Sequence, residues 1–354
     1  MSHCIGCDAH KKYSVFVVMG RDGKPEPGQR VGHDRLDYRQ FLEGLPAGSR
    51  IALETGGTYY WQVDEIERAG HHPKLAHALE CRRRLGSRKN KTDELDAIGI
   101  ATMLYNGTLP EVWIPPAGLR DQRELLRSRM FFTAMRTRVK NRIQGCLARY
   151  NVQITQALDV FSHAGRRELG RRLEELSEET RESVKRQLAL LDFLEVQIDE
   201  TEARLKAMME QTPEAALLDT MPRVGPILSM VMALEIGQVE RFPDAAHLAS
   251  YSGLVPRVIS SGGHTRMGGV SREANVYLKW AFVEAANLIA MSQKPLAGTH
   301  AVRLYQRVKK RKGHQKAVVA VGRHLAEAAY WILTKREPYR EPARPRTEVS
   351  STHG

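Results

Sequence analysis

Two short apolar runs in this chain each end on an acid: Cys4-Ile5-Gly6-Cys7-Asp8 and Ile51-Ala52-Leu53-Glu54. Uninterrupted apolar runs of this length read as buried strands. Two further acids, Asp93 and Asp96, stand three apart in Lys91-Thr92-Asp93-Glu94-Leu95-Asp96-Ala97. Three residues advance by roughly 300° on a helix, so this pair shares a face. Acids from two strand ends and one helix face can therefore converge on one point. Converging carboxylates repel and shift each other's pKa, and a divalent cation among them relieves the repulsion. Two metal ions held this way clamp the attacking and leaving oxygens of a phosphoryl transfer. An oxygen-only set suits Mg2+ or Mn2+. The alternative is four unrelated surface acids, with Asp93 a helix N-terminal charge and Asp96 an ion-pair partner.

Charge narrows the substrate. Lys and Arg number 54 against 41 Asp and Glu, a formal net charge of +13 with a pI near 9.7. A chain this basic meets a polyanion, and nucleic acid leads. No apolar run approaches the ~20 residues of a membrane span, and the N-terminus lacks the pattern of a signal peptide. The four cysteines, Cys4, Cys7, Cys81 and Cys146, are sparse, which fits a reducing, cytoplasmic setting. Cys4 and Cys7 form a C-x-x-C, but residues three apart on a strand point to opposite faces, and no second pair completes a zinc site.

The 354 residues leave room for several domains. Residues 1–116 alternate strand and helix signals in the order β-β-β-α-β-α-β-α, which predicts an α/β domain. Residues 117–150 read as one long helix, completing or following that domain, with nine Lys or Arg against two acids. Its apolar stripe gives a packing face and the rest a positive strip, expected to meet phosphates through Arg120, Arg123, Arg127, Arg136, Lys140 and Arg142. Residues 151–212 contain a leucine-rich stretch whose spacing resembles a coiled-coil arm; an internal helical hairpin is the alternative. Residues 213–336 are mostly helical. They hold Met221-Pro222-Arg223-Val224-Gly225-Pro226, which looks like a helix-hairpin-helix turn, although Pro226 removes one donor. A glycine-rich stretch, Gly253–Ser271, reads as a loop. It carries Ser260-Ser261-Gly262-Gly263, flanked by Arg257, His264 and Arg266. Serine is a weak nucleophile and needs activation; Ser-Gly loops are usually only loops. Lys309, Lys310, Arg311, Lys316 and Arg323 extend the basic surface expected to contact nucleic acid. The tail, 337–354, reads as disordered.

These motifs in this order resemble the DEDD transposases of the insertion-sequence 110 family. Ile5-Gly6-Cys7-Asp8-Ala9-His10-Lys11 is similar to the segment carrying the first acid, and Leu53-Glu54-Thr55-Gly56-Gly57 to the second. Lys91–Ala97 resembles the segment that supplies both remaining acids. Pro222-Arg223-Val224-Gly225, Ser252-Gly253-Leu254-Val255-Pro256, Ser261-Gly262, Leu278 onward and Lys316–Leu325 extend the likeness to about Thr334.

The resemblance implies a ribonuclease-H-like, Holliday-junction-resolvase-like N-terminal domain holding Asp8, Glu54, Asp93, Asp96 and their metals. It implies a C-terminal transposase domain whose Ser261 attacks DNA to form a phosphoserine link. It further implies a structured guide RNA that pairs with donor and target DNA, and homodimers or tetramers that set one subunit's acids beside another's serine. A nucleoid-associated recombinase is the expectation; a Holliday-junction-type nuclease that dispenses with Ser261 is the rival.

Overall fold

The computed structural model describes residues 3–86, 92–261, 264–270 and 273–342. The chain divides into two compact units, Met1–Ala117 and Gly118–Gly354.

The first unit is built on a six-stranded sheet. In chain order its elements are β1 (Cys4–Ala9), β2 (Tyr13–Met19), β3 (Gln29–Gly32), α1 (Arg35–Glu43), β4 (Arg50–Glu54), α2 (Tyr59–Arg68), β5 (His72–Ala76), α3 (Ala78–Leu85), α4 (Asp93–Tyr105) and β6 (Glu111–Val112). The spatial order is β3-β2-β1-β4-β5-β6. The β1-β2-β3 pairs are antiparallel, β1 and β5 each lie parallel to β4, and β6 runs antiparallel to β5. Two elements go beyond the sequence reading. α3 is a short helix in which the Glu80 N–H donates to His77 Nδ1 at 3.3 Å, and β6 is too short to show a period.

Alternation along β1 and β4 sorts their side chains between two cores. Ile5, Cys7, Ile51 and Leu53 pack with Tyr38 and Leu42 of α1 and Val63 and Ile66 of α2. Cys4, Ala52 and Ala76 pack instead with Ala97, Ile100, Ala101 and Leu104 of α4. Cys4 and Cys7 thus lie on opposite faces, as the strand reading predicts.

α4 lies unusually close to β1. A Cβ at Gly6 would collide, well inside 3.0 Å, with the backbone oxygen of Ala97 and the backbone nitrogen of Ala101. Backbone cannot yield as a flexible side-chain tip can. Gly6→Ala is therefore expected to push α4 off the sheet, at the upper end of the ~1–3 kcal/mol typical of overpacking. Thermal melting of the purified variant measures this, and a melting temperature within a degree of wild type would refute it.

On the α1–α2 side, Glu65 is buried and clamped by Arg39 (Nε to Oε2 2.6 Å, Nη2 to Oε1 3.0 Å) and by Arg68 (2.6 Å). Hydrogen bonds from Arg39 lower its pKa from 4.5 to about 2. A depressed carboxylate contributes stability that is present above its unfolded pKa and lost as pH falls through the folded value. Glu65→Gln is expected to melt below wild type at neutral pH, with the gap closing between about pH 4.5 and 2. A gap that stays constant across this acid range would contradict the assignment.

The second unit begins with α5 (Ala117–Arg149), followed by α6 (His163–Arg172), α7 (Glu178–Met209), α8 (Pro213–Asp219), α9 (Pro226–Ile236) and α10 (Ala245–Tyr251). A hairpin of β7 (Pro256–Ser261) and β8 (His264–Val270) precedes α11 (Val276–Met291), α12 (His300–Lys312) and α13 (His314–Lys335). α9 is apolar almost all round and sits in the main core, surrounded by residues of α8, α10, α11 and α13.

Two expectations are corrected here. The stripe expected to form a coiled-coil arm is used within the chain: Val184, Leu191 and Leu194 of α7 pack with Leu169 of α6 and with Val139, Ile143 and Leu147 of α5. This is the internal-hairpin alternative, and it satisfies the leucines without a second chain. A further row on α7, Leu190, Phe193 and Val196, stays exposed. The second correction concerns Gly253–Ser271, which is not simply a loop. Its middle forms the β7–β8 hairpin, with Ser260 opposite Thr265 and Ser261 opposite His264. Val258 and Ile259 favour extended backbone. Gly262 and Gly263, between the two strands, and Ser271 lie outside the described residues.

The helix-hairpin-helix-like segment joins α8 to α9. Arg223 adopts φ 61°, Gly225 caps α9 and Pro226 occupies its first turn. Beyond α13, residues 337–342 run without helix or strand, and the Tyr339 backbone N–H donates to Thr220 Oγ1 at 2.8 Å. The rest of the expected disordered tail, 343–354, lies outside the described residues. Among the described residues, no helix is long and apolar enough to cross a membrane.

Candidate active site

The register of the sheet places the strand acids. Cys7 pairs with Leu53 across the parallel β1–β4 ladder, so Asp8 and Glu54 follow side by side. Both continue the face that packs on α4. That helix starts at Asp93, with Thr92 Oγ1 accepting from the Leu95 N–H at 3.2 Å. Acids suit a first helical turn, where the backbone dipole is positive. The turn's third acid, Glu94, leaves the cluster and accepts from the Gly28 N–H at 2.7 Å.

Close packing at Gly6 brings Asp93 down to Asp8. His10 joins them: its Nε2 lies 3.1 Å from Asp8 Oδ2 and 3.2 Å from Asp93 Oδ2. One donor atom from each of Asp8, His10 and Asp93 lies within 4.8 Å of the other two. Asp96 and Glu54 are half-buried and stand outside that tight group. Asp96 still acts on it, because its charge and that of Asp93 help raise the Asp8 pKa. Burial is the larger cause of that rise, and the nearby His10 partly opposes it. Asp93 is held below the usual carboxylate range, chiefly because the Tyr13 hydroxyl donates to its Oδ2 at 2.8 Å. Glu54 makes itself felt at Cys81, whose thiol burial pushes up to about 11 with the Glu54 charge adding to the effect.

Neighbouring carboxylates therefore differ in proton affinity, and the cluster carries more negative charge than its one imidazole balances. These donors fit a divalent cation. His10 is the member missed by a reading that looked for oxygen donors alone. Its signal was present, since residues two apart along an extended backbone share a face.

The expected nucleic-acid contacts fall into two groups. Arg120 and Arg123 are buried, at 5% and 4% exposure, and Arg127 is bound to the fully buried Glu235. The positive strip is thus corrected along the first turns of α5, where these guanidiniums are held inside the unit. Lys140 is half-buried, 3.8 Å from Glu195 and 5.0 Å from the centre of the Phe161 ring. Arg136 is half-buried, while Arg142, Arg257, Arg266, Lys309, Lys310, Arg311, Lys316 and Arg323 are exposed. Of these, Arg323 pairs with Glu327 at 2.8 Å and Arg257 lies 3.9 Å from Glu273. Ser260 is exposed, and the Ser261 side chain lies outside the described residues.

A family model for DEDD transposases of IS110 elements, described as "Transposase", matches residues 5–152, and one described as "Transposase IS116/IS110/IS902 family" matches residues 215–301. The chain is similar to the transposase for insertion sequence element IS1111A of Coxiella burnetii, at 25% identity over 95% of this chain and 91% of the relative. It is also similar to a probable family 20 transposase of Pseudomonas aeruginosa, at 23% identity over 95% and 98% respectively. A 43.6 kDa protein of insertion element IS110 from Streptomyces coelicolor is 33% identical over 37% of this chain and 32% of its own length. The acid-bearing sheet and the helical unit after it thus define an enzyme of the transposase class. More narrowly, the chain belongs to the IS110 family of DEDD transposases, a family whose acids imply use of a divalent metal.

Proposed function

We propose that this transposase cuts and rejoins DNA at the ends of its insertion element and at the target, using a divalent-metal site at Asp8, Glu54, Asp93 and Asp96 and Ser261 as nucleophile. The observation that carries the reading is the meeting of Asp8 and Asp93 beside His10, on a face where Glu54 and Asp96 also lie. The sheet order, with three antiparallel strands followed by two parallel ones, supports a ribonuclease-H-like domain.

Mg2+ or Mn2+, when bound, supplies Lewis acidity at the phosphate oxygens and stabilises the charge that develops there. The chain's own groups do the rest. Tyr13 fixes Asp93 through its hydroxyl, and β1 fixes Asp8. The Ser261 oxygen attacks phosphorus, a phosphoserine ester forms and a deoxyribose hydroxyl leaves. Attack by another hydroxyl then frees the serine and joins the new strand. Exposed Arg142, Lys309, Lys310, Arg311 and Lys316 hold backbone phosphates without reading sequence. Target choice is delegated to an element-encoded RNA. The exposed Leu190, Phe193 and Val196 row supports assembly into dimers or tetramers.

The test is cleavage of element-end DNA by purified protein with the element's RNA. Cutting is expected with Mg2+, none with a chelator, and a detergent-resistant protein–DNA adduct in wild type but not in Ser261→Ala. Omitting the RNA should abolish target choice. Recombination at the wild-type rate by Ser261→Ala would remove the serine from the mechanism. Cutting without any adduct, equal in both proteins, would leave a resolvase-type nuclease.

A further inference from the structure

Within the carboxylate cluster, His10 is held as firmly as the acids. β1 ends at Ala9 and β2 begins at Tyr13. The turn between them is closed by a hydrogen bond from the His10 N–H to the Tyr13 carbonyl at 2.9 Å. The His10 ring lies against the Tyr13 ring, with centroids 4.7 Å apart and planes tilted by 32°. Tyr13 also fixes Asp93, so one side chain positions both neighbours.

The Nε2 atom is buried between the two carboxylates, with an oxygen of Asp8 3.1 Å and one of Asp93 3.2 Å away. Octahedral ligands at about 2.1 Å from a shared ion sit about 3.0 Å apart when adjacent. The two separations lie close to that spacing.

Resting on the metal-site reading above, we propose that His10 Nε2 is a ligand of the divalent ion, making a mixed set with Asp8 and Asp93 that favours Mn2+ over Mg2+. Mg2+ keeps to oxygen donors and gives up water reluctantly, whereas imidazole suits transition-metal ions.

The test uses full-length protein and Mn2+ alone, followed by electron paramagnetic resonance with detection of nitrogen coupling. Wild type is expected to show coupling from one imidazole nitrogen. His10→Gln should lose that coupling and bind Mn2+ about tenfold more weakly, while its Mg2+ affinity, read by competition, changes less than twofold. Retained nitrogen coupling in His10→Gln, or Mn2+ binding as tight as wild type or tighter, overturns the proposal and leaves the acids as the metal site. Asp8→Asn separates the two ideas: if it binds Mn2+ as wild type does, the carboxylate site itself fails and His10 fails with it.

Discussion

Asp8→Asn protein is expected to fold, to melt no lower than wild type in the presence of a chelator, and to leave element-end DNA uncut. Asp8 is partly buried and faces the charges of Asp93 and Asp96. The amide keeps the shape and removes the repulsion, so the fold without metal gains or stays even. Activity moves the other way. A metal's stabilisation of transition-state charge amounts to several kcal/mol, and about 4 kcal/mol corresponds to roughly a thousandfold in rate. Cutting by Asp8→Asn should fall by at least that factor. Melting and cleavage measured on one preparation decide the matter. Lost activity together with a clear drop in melting temperature would make Asp8 a structural residue.

Glu235→Ala is expected to lower the stability of the second unit by about 3–5 kcal/mol, the cost of breaking a buried ion pair from one side. Glu235 is fully buried. Its carboxylate accepts from Arg127 Nε and Nη2 at 2.9 and 3.0 Å and from Asn275 Nδ2 at 2.8 Å. Arg123 donates to the Leu234 and Glu235 carbonyls at 2.8 and 3.0 Å, and Arg241 to the Ile236 carbonyl at 3.0 Å. These cations meet the C-terminal carbonyls of α9, where helix polarity favours positive charge. Alanine would leave the Arg127 guanidinium without its buried counter-charge. Against the ~5–15 kcal/mol that holds a typical domain together, such a loss would show as a large fall in denaturant midpoint. A change below about 1 kcal/mol would be the size expected of an exposed pair and would mean that water reaches this site.

Legibility in the sequence followed the range of the interactions involved. The strand-ending acids could be read because the apolar run, the strand period and the acid are all local. The start of α4 at Asp93 could be read for the same reason. Arg120, Arg123 and Arg127 could not, because a count of basic residues does not show a partner such as Glu235, which lies 108 positions away from Arg127. The leucines of α7 carry a spacing that suits a partner helix in the same chain or in another, and only packing separates the two. At the serine segment the glycines outnumber Val258 and Ile259, so the sequence predicts a loop where a hairpin forms. His10 is hidden in the sequence because the four acids alone make a complete oxygen set.

The narrow gap at Gly6 bears on control. With no side chain between β1 and the backbone of α4, Asp8 and Asp93 already stand together in the protein alone. A blade that is always unsheathed has to be restrained by other means. On the metal-site and serine reading proposed above, that restraint would fall to whatever delivers the strand and the serine, and the timing of transposition would rest on assembly rather than on the metal ligands.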